Sequence, residues 1–560
     1  MYLKQIKISS TTKNVIYSII YFLPHIPPAR SLLHQEEENF INEFKIDVSP
    51  PSPHVHPVFF LLWLHIIPFF SSAAAPPSSS PRGYLINCGS RNDIKQDGIT
   101  YLRDEGYAVA GNLTTLNRTD ILPVLTTLRY FPSGPGKHCY QFPVTKGGKF
   151  LIRTTYFYGG FDGGIVPPIF DQIIDGTKWT TVNTTEDYKN GLSSYYEIIV
   201  TANAKTISVC LASNEHTKPP SSPFISLLEL MNLDPSLYNS TDFEKYGLIT
   251  VARTNFASDG DFIRFPDDPF NRYWQPFIDG NPTVQSQANV TSSEFWNHPP
   301  VKVFLSASTT SRGRNLTLQW PPCALPSNRY YVALYFQDNR SVSPYSWRVF
   351  TVSIDGETFY QDLNVTTRGV TVYGTEWPLS GTTEIVLSPR SDMPIGPLIN
   401  AGEIYQILPL GGATLGRDAM ALRMLKQSLK NPPDDWNGDP CLPKEHSWSG
   451  IGCSEGSRIR VISLNLTGLS LAGTLSKEII RLTALKELRL SMNKLTGSIP
   501  DMSPLKALEV LHLDENEFEG PFPDSLGTLP NLRELYLNNN NLSGRLPEIL
   551  TNRKGITIRA

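Results

Sequence analysis

The residues with the clearest capacity for chemistry lie in Tyr156-Phe-Tyr158-Gly-Gly-Phe161-Asp162, where aromatic rings and a carboxylate surround a glycine pair. Sugars are held by aromatic faces against their C–H surfaces, with carboxylates and amides taking the hydroxyls. Tyr156, Tyr158, Phe161 and Asp162 are therefore candidate carbohydrate-binding residues. The competing expectation is structural, because aromatics at strand ends usually fill cores and glycines usually mark turns. A second set, Arg489, His512 and Tyr536, occupies one offset in three successive repeats. Such a row suits recognition of another molecule and brings no reaction of its own. Asp259, Asp261, Asp267 and Asp268 sit among Phe262, Arg264, Phe265, Arg272 and Trp274. Carboxylate clusters can hold calcium, but this spacing has no EF-hand pattern, so a solvated loop with salt bridges is expected.

The usual marks of catalysis are missing. There is no Gly-x-Ser-x-Gly, no His-Glu-x-x-His and no phosphate-binding Walker loop. Ser133-Gly-Pro-Gly-Lys137 reads as a turn, and His54-Val-His56 as incidental. Glycoside hydrolysis needs two carboxylates at a set separation, and nothing in the sequence indicates such a pair. The expectation is a protein without catalysis, cofactor or metal. A formal charge of −3 over 560 residues gives no electrostatic reason to expect nucleic acid.

The elements that must position these residues begin with a repeat of about 24 residues near the C-terminal end. Its cores read Leu464-Asn-Leu466, Leu488-Arg-Leu490, Leu511-His-Leu513 and Leu535-Tyr-Leu537, each followed by a glycine: Gly473, Gly497, Gly520 and Gly544. Three carry an asparagine at a shared offset, Asn493, Asn516 and Asn540, where the first has Leu469. These are leucine-rich repeats. One strand and one return segment cannot bury their leucines alone, so neighbours must stack. Arg489, Ser491, His512, Asp514, Tyr536 and Asn538 then face outward from a concave strand row. Just upstream, Leu422, Leu425 and Leu429 recur at helical steps between Asp418 and Lys430, and Asn431-Pro-Pro ends the run. That predicts a helix capping the first repeat.

From Tyr84 to about Pro409 the pattern changes to short β-branched and aromatic runs cut by Gly, Pro, Asn and Asp. This spacing predicts antiparallel β-sandwiches, and the length calls for two. The expected divisions are a leader at 1–83, sandwiches at 84–240 and 241–409, a cap and junction at 410–460, and repeats at 461–560. In the leader, Pro57 to Phe70 reads as a signal-peptide core followed by small residues, with a second apolar patch at Val15 to Leu23. Either the patch at Val15 to Leu23 is the true signal, or the start lies too far upstream, or the later patch anchors the chain; a misplaced start is the favoured expectation. Ten glycosylation sequons stand at Asn112, Asn117, Asn183, Asn239, Asn289, Asn315, Asn339, Asn364, Asn465 and Asn541. Together with six cysteines they point to a secreted glycoprotein. Cys441 and Cys453, close together before the repeats, are the expected disulfide. Cys88, Cys139, Cys210 and Cys323 allow three pairings, all left open.

A family resemblance rests on Trp436-Asn-Gly-Asp-Pro-Cys441, Trp448-Ser-Gly-Ile-Gly-Cys453 and the repeats. It extends through Tyr84-Leu-Ile-Asn-Cys-Gly89, Leu128-Arg-Tyr-Phe-Pro132, Phe150-Leu-Ile-Arg-Thr-Thr-Tyr156, Trp347-Arg-Val-Phe350 and Leu398-Ile-Asn-Ala-Gly-Glu-Ile-Tyr405. Together they resemble plant receptor-like proteins with malectin-like ectodomains. The resemblance implies tandem malectin-like sandwiches and a short solenoid on the extracellular face, secreted or associated with the plasma membrane. It implies a cell-wall glycan or peptide ligand and a membrane receptor kinase as partner. No kinase motif or apolar stretch follows the repeats, so the kinase-less branch is the expectation. The alternatives are a lectin acting alone and a glycan-active enzyme.

Overall fold

The strands Lys149–Tyr156 and Ser194–Thr201 are buried almost throughout on both faces, with charged Lys149, Arg153 and Glu197 set among their apolar and aromatic residues. Both belong to a twelve-stranded sheet that runs through the whole β-rich region. The computed structural model describes Leu3–Lys4 and residues 81–560, apart from positions 109, 133, 135, 219–220, 288–289, 293–294, 339 and 341–346. Both apolar leader patches, His54 and His56, Ser133, Asn289 and Asn339 lie outside the described residues.

Two smaller four-stranded sheets pack against the long one. The first is built from Lys137–Pro143, Phe170–Ile174, Thr177–Val182 and Thr206–Ser213, and the second from Leu316–Gln319, Arg348–Ile354, Glu357–Val365 and Glu384–Pro389. Each closes an apolar core, with Ile152, Tyr156, Phe170 and Ile198 in one and Trp320, Val332, Leu334 and Ile404 in the other. The long sheet passes from one sandwich to the next between Ser194–Thr201 and Tyr246–Phe256. That backbone join is thin, with only Ile198 opposite Ile249 and Ile199 opposite Leu248.

Side chains hold this seam. Glu229, Arg153, Glu197, Arg253 and Glu403 stand on five consecutive strands with alternating charge, all buried. Arg153 meets Glu197 at 2.5 Å and Glu229 at 2.9 Å; Arg253 meets Glu197 and Glu403, each at 2.9 Å. The Tyr335 and Tyr405 hydroxyls donate to Glu403 at 2.6 Å each. Burial pushes the Glu197 and Glu403 carboxyls up, but the flanking guanidiniums outweigh it and hold both below the usual carboxylate range. The acidic loop corrects one expectation. Asp259 and Asp261 are exposed and Asp267 pairs with Lys302 at 2.7 Å, but Asp268 is fully buried, 2.9 Å from Arg272. It holds together a loop that covers the charged row: the Trp274 indole N–H donates to it at 2.8 Å, and the Asn271 carbonyl of the same loop accepts from Arg153 Nη2 at 2.5 Å.

The cap helix spans Gly416–Ser428 and buries Leu422 and Leu425; Asp418, also buried, accepts from Arg460 Nε at 2.8 Å. Cys441 and Cys453 form a disulfide beside the stacked pair Trp436 and Trp448, whose ring centroids are 5.1 Å apart. The cap docks on the outer face of the first sandwich's small sheet, although the second sandwich precedes it in the chain. There Cys139 and Cys210 form a second disulfide, one of the three pairings left open. Gly438, at φ 64°, is closely packed: a Cβ would lie 3.0 Å from Cys139 Sγ and 3.1 Å from Cys210 Sγ, so the disulfide would have to shift to admit it. His446 Nε2 lies 3.2 Å from Asp171 Oδ2, and the fully buried Lys137 Nζ donates to the His446 carbonyl. Burial lowers the Lys137 pKa to about 8, against the upward pull of Asp439, Asp435 and Glu445.

The repeats stack as expected, with two additions. A fifth parallel strand, Thr557–Arg559, follows Val461–Asn465, Glu487–Arg489, Val510–His512 and Glu534–Tyr536. Ile558 stands opposite Leu535 and Ala560 takes the place of the second leucine, which hides the strand from the Leu-x-Leu pattern. The return segments also pair, forming a second sheet from Ala472–Thr474, Lys494–Gly497, Glu517–Pro521 and Asn541–Ser543. The recurring asparagines satisfy buried backbone between turns. Asn493 Nδ2 donates to the Leu466 and Leu490 carbonyls at 2.8 Å, while its Oδ1 accepts from Leu471 N at 2.9 Å.

Candidate functional site

The two sets of residues singled out in the sequence have different surroundings. In the 156–162 loop, Tyr156 and Tyr158 are buried at 0% and 1% exposure. Tyr156 sits edge-on to Phe170, Tyr196 and Phe224; Tyr158 sits edge-on to Phe161 and Tyr188. Neither ring has a face open to a sugar, which corrects the stacking role expected for both. The strand that ends at Tyr156 carries the two rings into the core of the first sandwich. Asp162 is turned inward too: Oδ1 accepts from the Tyr158 hydroxyl and from Gly164 N at 3.0 Å. Burial first, and then Asp162, raise the Tyr158 pKa. Phe161 and Asp162 keep partial exposure.

Arg489, His512 and Tyr536 are brought together. Their strands are parallel and in register, Arg489 opposite His512 and His512 opposite Tyr536. The row continues to Asn465 on one side and Arg559 on the other. Because side chains alternate along each strand, the leucines point inward and this row points out. Arg489 Nη1 lies 3.0 Å from His512 Nδ1, and His512 Nε2 lies 3.0 Å from Glu534 Oε2. The His512 and Tyr536 rings stack at 4.0 Å with 7° between planes, and the Arg559 guanidinium covers the other face of Tyr536 at 4.6 Å. His512 is the most enclosed at 9% exposure, while Arg489 and Tyr536 are half-exposed. Burial, and next Arg489, lower the His512 pKa; Glu534 and Asp514 act the other way. Ser491 Oγ donates to Asp514 Oδ1 at 2.5 Å, so the next outward positions are paired as well. Arg559 and Glu534 were not singled out in the sequence. The signal for Glu534 was its place two residues before Tyr536; Arg559 was hidden with its strand.

Among the described sequons, Asn112, Asn117, Asn239, Asn315, Asn364, Asn465 and Asn541 are exposed and Asn183 is half-buried. Asn465 adjoins Arg489 in the outward row, so a glycan there would flank the row. Among the described residues, no group of three or more His, Cys, Asp or Glu is placed to hold a metal ion.

Comparison with known proteins matches residues 86–407 to the malectin-like domain. The chain belongs to the malectin-like family. Residues 415–454 of this malectin-like chain match the leucine rich repeat N-terminal domain, and residues 483–542 the leucine rich repeat. These are ligand-binding, non-catalytic domain types. Similar relatives include two from Arabidopsis thaliana. A probable LRR receptor-like serine/threonine-protein kinase is 31% identical over 499 residues, 83% of this chain and 51% of the relative. A probable LRR receptor-like protein kinase is 32% identical over 407 residues, 70% of this chain and 45% of the relative. The chain thus spans about half the length of the curated relatives it matches. The ANX2 ectodomain from Arabidopsis thaliana superposes with a TM-score of 0.50 at 16% identity, over 59% of this chain and 97% of that one, a likeness of fold alone. The architecture is malectin-like and receptor-like, of the extracellular kind. Among the described residues no helix is long and apolar enough to cross a membrane.

Proposed function

We propose that this malectin-like chain is an extracellular recognition module that acts without catalysis and binds a peptide or partner protein on the concave row of its repeats. The observation that carries this reading is the in-register series Arg489, His512, Tyr536 and Arg559, which offers charge and ring edges on a rigid surface. Rigid aromatic and arginine anchors supply most of the energy at protein interfaces. The loop at 156–162 offers a sugar only part of Phe161 and Asp162, so a glycan would gain less there. The relatives are named as receptor kinases. A signal from this surface would pass to a kinase segment of the same polypeptide or to a membrane receptor kinase partner.

The test is capture of the glycosylated chain on an array of immobilised peptides, with Arg489→Glu and Tyr536→Ala as variants. The reading expects both to lower capture by about tenfold or more, while Phe161→Ala and Asp162→Ala leave it unchanged. Capture that survives both row variants, or depends on Phe161 and Asp162, overturns it.

A further inference from the structure

We infer that the concave row binds a carboxylate-bearing ligand together with a proton, using Arg489 and His512 as its two donors. The inference rests on the reading of that row as the recognition surface. It follows from what each ring nitrogen of His512 meets. Nε2 is 3.0 Å from Glu534 Oε2 and must carry a hydrogen to bond it. Nδ1 is 3.0 Å from Arg489 Nη1, a group that only donates, so Nδ1 must be bare. The two contacts together admit only the neutral ring with its hydrogen on Nε2.

A second proton on His512 would set N–H against N–H and break the contact with Arg489. The charged groups around the ring make this one-sided. On the Glu487–Arg489 strand, Glu487 holds the far edge of the guanidinium, 3.3 Å from Arg489 Nε. On the Glu534–Tyr536 strand, Glu534 serves Nε2 and Tyr536 covers a ring face, with Arg559 beyond it. On the ring's own repeat, Asp514 is taken by the Ser491 hydroxyl. Glu534 is thus committed to Nε2, and among the described residues no carboxylate hydrogen-bonds Nδ1. That side of the ring faces a guanidinium. Burial and Arg489 accordingly lower the His512 pKa in the free protein.

A carboxylate entering between Arg489 and His512 removes the conflict. One oxygen accepts from Arg489 Nη1 and the other from a protonated Nδ1, the two-oxygen geometry that charged donors favour. Glu534 and the stacked Tyr536 ring are already placed to stabilise the imidazolium. The ligand therefore raises the His512 pKa, and a proton enters with it. Binding then strengthens as pH falls, by up to about tenfold per pH unit while the proton is being taken up. The gain ends once the free protein takes up the proton itself, and at the latest where the ligand's own carboxyl protonates, near pH 4.

The experiment measures capture of the whole glycosylated chain on immobilised Glu-rich, Gln-rich and Lys-rich peptides at pH 5.5 and 7.5. The wild type should hold Glu-rich peptides at least about tenfold better at pH 5.5. His512→Gln, which keeps a hydrogen-bonding side chain and cannot be protonated, should bind them equally at both values. Arg489→Gln should lose them at both, with an unchanged melting temperature showing that it is folded. Capture of Glu-rich peptides without pH dependence, or pH dependence that persists in His512→Gln, overturns the proton-linked site. Capture through the row regardless of peptide charge overturns this inference and leaves the recognition reading standing. No capture of any peptide, at either pH, overturns both.

Discussion

Two rows of polar and charged side chains, each built around arginines, cross this molecule, and they differ in what covers them. In the sandwiches, Glu229, Arg153, Glu197, Arg253 and Glu403 run across five strands and are fully sealed. In the repeats, Arg489, His512, Tyr536 and Arg559 run across four strands and remain partly open. The first row has every charge answered by another of the same chain. In the second, one ring nitrogen of His512 faces an arginine where an acid would serve better. Arginine thus closes a seam in one place and offers a surface in the other. Burial decides which: a sealed ion pair is costly to break, and a half-exposed one contributes little to stability.

Substitutions sharpen this contrast in order of effect. Arg253→Ala removes the salt-bridge partner of the buried Glu403 and leaves the buried Glu197 with Arg153 alone, and should cost about 3–5 kcal/mol. Thermal or denaturant unfolding would read this, and a loss below about 1 kcal/mol would mean the seam does not depend on the row. Gly438→Ala comes next, because its methyl meets the Cys139–Cys210 disulfide at a positive φ. It should cost about 1–3 kcal/mol, seen as faster proteolysis at the junction between the cap and the first sandwich. Lys137 gives a smaller, pH-dependent effect. Its pKa is about 8 when folded against 10.5 ordinarily, so between those values the unfolded chain holds more protons than the folded one. Stability should therefore rise from pH 8 toward 10.5, and the rise should disappear in Lys137→Met. Arg489→Gln and Tyr536→Ala should change stability least, within about 1 kcal/mol, while lowering capture by about tenfold or more.

The sequence displayed the repeats, the cap helix and the β-rich character openly, because each depends on local periodicity. The fifth repeat strand escaped because Ile558 and Ala560 stand where its two leucines would be. The seam row was visible only as charged residues inside apolar strands, such as Arg153 in Phe150-Leu-Ile-Arg-Thr-Thr-Tyr156 and Glu197 in Tyr195-Tyr-Glu-Ile-Ile-Val200. Their partners lie on other strands, up to 150 residues away in the case of Arg253 and Glu403, so no local pattern joins them. The misreading of Tyr156 and Tyr158 has a similar origin. Ring, glycine and carboxylate at that spacing suit a sugar or a packed turn equally well, and only the small sheet and Phe224 opposite them decide for the core. The concave row was legible because a parallel stack of equal repeats brings one offset into line.

The central claim is that recognition takes place on the repeats. The most direct measurement is photo-crosslinking of an array-selected peptide, followed by mass-spectrometric mapping of the attachment sites. The account predicts crosslinks on Glu487–Arg489, Val510–His512 and Glu534–Tyr536, lost in Arg489→Glu. Crosslinks confined to the loop around Phe161 and Asp162, or to the sandwiches alone, would contradict it.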